Sequence, residues 1–160
     1  MAPLRRFLVI CAVGIWLGGL TLYSLVVVRN AHRVFISHYK VGLVTQRVTE
    51  ELNLIGAGAL VLMLFNAIAS WNAATRRIRA GLAASLGLAI LAHGAVFLLH
   101  RFMDGMLQGG GLGISDSPTF HRPHEHYLIA TAFEWGAGLS YLLFAILGWR
   151  QEDAVRSGQK

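Results

Sequence analysis

Four stretches of this chain, 7–28, 53–70, 81–99 and 127–147, run for 18 to 22 residues almost without charge. A hydrocarbon core about 30 Å thick takes about 20 apolar residues of helix to cross. Within it every backbone N–H and C=O must be paired inside the segment, which a helix does and an open strand does not. The runs therefore predict four transmembrane helices in one domain over 1–160, an all-α integral membrane bundle running up-down-up-down. Composition agrees, at 55% hydrophobic, 14% charged and a mean hydropathy of +0.55. Arg5 and Arg6 precede the first run as in a secretory signal. Its 22 uncharged residues exceed the usual signal length, however, and no small-x-small site follows before Arg29, so it is expected to stay in the membrane. Cys11 is the only cysteine and excludes an intrachain disulfide.

An even number of spans puts both termini on one side with the 71–80 link. Those 29 residues hold eight of the fourteen Lys and Arg, against six in the 51 residues of the other side. The bias predicts both termini in the cytoplasm of a plasma, or inner, membrane. The basic excess suits anionic lipid headgroups and gives no reason to invoke nucleic acid. Segment 29–52 carries Val41, Val44, Val48 and Leu52 at helical spacing and is expected to be an amphipathic lead-in lying at the outer interface. Segment 100–126, with its glycine run and Ser-Asp-Ser-Pro, is expected to be one long outer loop.

Two ionisable residues break the apolar runs. His93 lies six residues before the end of the third run and Glu134 seven after the start of the fourth, which places both about 10 Å below the same surface. Ionisable groups at membrane depth face the bundle interior and need partners, so these two are expected to pair. Such a pair can fix helix register, hold a metal or haem iron through the other imidazole nitrogen, or relay a proton.

Six of the seven histidines fall in the two outer segments. Neutral imidazole is a common metal ligand, and thioethers favour copper(I). The candidate ligands for copper or zinc are His100, His121, His124, His126, Met103 and Met106, with His32, His38, Asp104 and Asp116 as further donors. No HExxH or cysteine pair is present, and no catalytic residue is assigned. Asn66, within the second run, is expected to bond to a neighbouring helix. Gly14, Gly18 and Gly19 in the first run, with Gly87 and Gly94 in the third, predict close helix packing.

The stretch GIWLGGLTLYSLVV, the amphipathic link into a small-residue second run, and the FxRxH-type element of Phe120, Arg122 and His124 resemble uncharacterised four-helix bacterial-type membrane proteins allied to the copper resistance protein D superfamily. That superfamily looks related to haem-binding membrane proteins of protoporphyrinogen oxidation. The resemblance implies copper handling by association and, more remotely, haem b. The haem-binding relatives place a histidine about seven residues before the first-span tryptophan, where this chain has Val9. Three readings follow: a transition-metal site at the outer face, an accessory subunit or homo-oligomer packed through glycine faces, and a haem-b redox protein.

Overall fold

The computed structural model describes residues 2–35, 38–110 and 118–158, with the backbone alone at 38, 39, 107–110, 118 and 120. Helix α1 (Ala2–Leu22) passes through a π-helical turn at Tyr23–Val27 into α2 (Val28–Val34); α3 (His38–Ser70), α4 (Arg76–Gly110) and α5 (Pro118–Gly158) follow. These elements make four rods long and apolar enough to cross a membrane. The described residues form an all-α four-helix bundle, the class expected from the apolar runs.

The rods exceed the apolar runs because a helix does not end where its sequence turns polar. The lead-in continues into α3 as one helix and does not lie apart at the interface. Val41 and Leu52 are buried and Val48 packs on the core, while Val44 stays exposed, so most of its apolar stripe faces the bundle. The expected outer loop is likewise largely helix. Helix α4 continues to Gly110 and α5 begins at Pro118, where a proline is tolerated because the first-turn N–H has no partner anyway. Pro123 lies one turn further in, and the N–H it lacks forfeits the single bond it would have made to the Thr119 carbonyl.

Neighbours run α1–α3–α4–α5, and α5 closes the ring against α1. At the end that carries both termini, Glu152 accepts from Arg5 at 2.6 Å, Arg6 at 3.1 Å and Arg156 at 2.8 Å, and Arg6 also reaches Asp153 at 2.8 Å. The backbone N–H of Thr75, in the link from α3 to α4, donates to Gln151 Oε1 at 2.9 Å. The opposite, distal end holds the last turns of α2 and α4 and the first turns of α3 and α5.

Between the ends, each of the four rods places residues seven apart at successive levels. From the middle of the bundle toward the termini these are Trp16 and Val9, Gly56 and Met63, His93 and Leu86, Glu134 and Tyr141. Toward the distal end they are Tyr23, Thr49, His100 and Tyr127. Seven residues are two turns, so the levels lie about 10 Å apart, and a seven-residue repeat keeps the same helix faces together. The level nearest the termini is fully apolar apart from Tyr141. Its hydroxyl donates to the Met63 carbonyl at 2.6 Å and accepts from Asn66 Nδ2 at 2.9 Å, while Trp149 Nε1 donates to Asn66 Oδ1 at 2.9 Å. All three side chains are buried, and the network leaves none of their polar atoms stranded.

Candidate functional site

The middle level brings His93 and Glu134 together. His93 Nδ1 lies 2.5 Å from Glu134 Oε1, with side-chain exposures of 12% and 1%. The register of α4 against α5 sets this, since His100 on α4 faces Tyr127 on α5 two turns higher with ring centroids 6.5 Å apart. Helices α1 and α3 complete the level. The Trp16 ring stands edge-on to His93 at 6.1 Å. A Cβ on Gly56 would come within 2.6 Å of Trp16 Nε1 and 2.8 Å of His93 Cε1, so the glycine supplies the space in which both rings sit. Glu134 Oε2 is buried with no hydrogen-bond partner, and so is Nδ2 of Asn53, one turn nearer the distal end on α3.

Above this level lies a cavity of about 630 Å³ walled by all four rods. The π turn opens α1 toward it. One extra residue per turn, a feature often found at functional sites, carries Tyr23, Ser24, Val28 and His32 to the cavity wall. The Tyr23 hydroxyl accepts from Thr49 Oγ1 at 3.1 Å and donates to the Thr45 carbonyl at 3.3 Å, which ties the turn to α3. From α5, Tyr127 stands between His100 and His124, the latter stacked on it with centroids 6.4 Å apart. Thr131, one turn beyond Tyr127, donates to the Tyr127 carbonyl at 2.9 Å. It lines the cavity one turn from Glu134.

Of the candidate ligands, His32, His100, Met103, Asp104, His121 and His124 all border this one cavity. His100 Nε2 and Asp104 Oδ2 are 3.3 Å apart, close enough to pair but not aligned as a hydrogen bond. His126 turns back on its own helix, its Nδ1 2.7 Å from the Arg122 carbonyl, and is exposed. Met106 is half-buried and does not border the cavity. Asp116 and the side chain of His38 lie outside the described residues. Among the described residues no three His, Cys, Asp or Glu side chains come together to hold a metal ion. His93, the residue of the haem reading, does not border this cavity, and its ring is packed on Trp16 and the Gly56 backbone.

The sequence reading missed Tyr23, Thr49, Tyr127 and Thr131. The first three could have been found from the seven-residue offsets to Trp16, Gly56 and Glu134. The glycines divide. Gly19 packs on Leu52 and Gly138 on Leu17, but Gly14, Gly18, Gly87 and Gly94 meet nothing within 4 Å. The close approach expected of these four is therefore not made within the bundle.

No family model, curated protein or solved structure matches this chain. Fold and cavity alone define its class: a small four-helix integral membrane protein with a cavity at the end opposite its termini.

Proposed function

We propose that this protein binds a lipophilic organic cation in the distal cavity. One observation carries the reading. The chain has a net charge of +6, yet the described lining contains a carboxylate, Asp104, and no Lys or Arg. The walls are otherwise largely apolar, with Leu20, Val28, Val41 and Leu128 among them. Tyr23 adds an aromatic ring to the wall and Tyr127, stacked on His124, a second; such rings attract cations most strongly where water is excluded. A volume of about 630 Å³ also suits an organic molecule better than a bare ion. The positive-inside bias puts the distal end, and with it the cavity, outside the cytoplasm.

Equilibrium dialysis of detergent-purified protein tests this. Tetraphenylphosphonium is expected to bind, and neutral triphenylphosphine oxide, of similar shape, to bind at least tenfold more weakly. Asp104→Asn is expected to weaken only the cation. Equal binding of the two compounds contradicts the reading.

A second reading keeps copper or zinc as the cation, favoured by the six candidate donors that share the cavity. It requires the exposed His121 and His124 to swing toward His100 and Asp104. Metal retained near one equivalent, and lost on replacing His121 and His124 together, would support it. The accessory-subunit reading draws on Gly14 and Gly18, an exposed GxxxG pair with open space beyond it. It predicts cross-linking of a cysteine placed at Ile15 to a second helix.

A further inference from the structure

The cavity reading gives the pair beneath it no work, yet its geometry is not that of a finished structural contact. Glu134 uses one carboxyl oxygen on His93 and leaves the other buried without a partner. Asn53, between Thr49 in the cavity wall and Gly56 at the His93 level, also keeps a buried amide nitrogen unpartnered. A buried carboxylate oxygen is satisfied by a donor, a water or a proton, and a buried amide N–H by an acceptor or a water; without these, both cost stability.

The charge count is more decisive. With one proton shared across Nδ1 and Oε1, beyond the one that neutral imidazole already carries, the pair is neutral overall, whether written as imidazole and carboxylic acid or as imidazolium and carboxylate. Without that proton the pair carries a full negative charge. No other group at this depth can compensate for it. The first rod, from α1 through the π turn into α2, offers only Cys11 and Tyr23 between Arg6 and Arg29, and α3 nothing titratable between Glu51 and its end at Ser70. Helix α4 offers only His93 and His100 between Arg79 and Arg101, and α5 only Tyr127, Glu134 and Tyr141 between His126 and Arg150. An uncompensated charge in a membrane interior is costly, and one bound proton removes it.

A cation in the cavity changes this balance. Thr131 borders the cavity and lies three residues from Glu134 on α5, about 4.5 Å along the helix. A positive charge between Tyr23 and Tyr127, one level or about 10 Å above the pair, favours its anionic form in a medium of low dielectric. We infer that the His93–Glu134 pair is a proton-binding site that releases one proton through the distal cavity when a cation binds there, so that cation uptake and proton release are coupled. Charge balances: one cation enters and one proton leaves, no bond to carbon changes, and no electron moves. This inference rests on the cation reading of the cavity and adds the exchange partner.

Two measurements test it separately. The first needs no cation: infrared difference spectra of the protein between low and high pH are expected to show either a protonated carboxyl C=O band that is absent in Glu134→Gln or an imidazolium band that is absent in His93→Gln. If neither band depends on these residues, the pair carries no exchangeable proton and the inference is overturned, whatever the cavity binds. The second follows proton release with an indicator dye in weak buffer as tetraphenylphosphonium is added. The expected result is close to one proton per cation bound, with apparent affinity rising up to tenfold per pH unit. Glu134→Gln should bind with release and pH dependence largely lost, whatever His32, His100, Asp104, His121 and His124 contribute. Binding without release overturns the coupling while leaving the cavity reading intact. Absence of binding at every pH overturns the cavity reading and the coupling with it, leaving the infrared result as the sole statement about the pair.

Discussion

His93→Leu should be the most damaging single change in the middle of the bundle, and the reason is local. It removes the partner of a carboxyl that is 1% exposed and whose second oxygen already lacks one. Stripping one member of a buried ion pair costs about 3–5 kcal/mol, and orphaning a buried neutral polar group about 1–3 kcal/mol. Glu134 can shed its charge by keeping a proton, so the cost is expected where these ranges meet, about 3 kcal/mol. Glu134→Leu leaves only Nδ1 of a less deeply buried ring that is stable when neutral, and should cost about 1–2 kcal/mol. The double change strands nothing and refills the level with apolar volume, so it should be milder than His93→Leu alone, with a coupling of about 2 kcal/mol. Glu134→Gln keeps both shape and hydrogen bonding and should be nearly neutral. Reversible unfolding in mixed micelles measures all four. If the two Leu effects add within about 0.5 kcal/mol, the residues do not share an interaction and the reasoning fails.

Other consequences follow from the same levels. Gly56→Ala drives a methyl into Trp16 and His93 and should cost about 1–3 kcal/mol, whereas Gly18→Ala, with open space around it, should leave the thermal midpoint of the isolated protein unchanged. Asn66→Leu strands the Trp149 indole N–H and deprives the Tyr141 hydroxyl of a donor; a loss of about 1–3 kcal/mol is expected in the same unfolding assay. Glu152→Gln weakens the contacts of three arginines at once and should speed proteolysis near the N-terminus, with little effect on ligand binding at the distal end.

Hydrophobic length and helical rise account for how much could be read in advance. Four apolar runs specify four spans because lipid admits few alternatives, and a fixed rise per residue sets His93 and Glu134 at one depth before any packing is known. Asn66 finds its partners on a neighbouring helix because a buried amide must. What escaped the sequence depends on tertiary contact. The polar segment from His100 to Gly110 stays helical because His100, Met103 and Asp104 pack inward, which composition alone reads as loop. The widened turn at Tyr23 has no sequence marker, yet it shapes the cavity. His121 and His124 reach the cavity while His126 does not, because α5 is helical through this segment and its rotation separates them. Gly14 and Gly18 look outward and Gly19 inward, a distinction of one helical step that a small-residue motif cannot make.

The central claim is that a cation occupies the cavity between Tyr23 and Tyr127, above Glu134. Labelling of a single cysteine at Thr131, in a Cys11→Ser background, tests it most directly. A membrane-impermeant thiol reagent added from the distal side should react with this cysteine, tetraphenylphosphonium should slow the reaction at least tenfold, and triphenylphosphine oxide should leave it unchanged. A rate that neither compound alters, or that both alter equally, would contradict the claim.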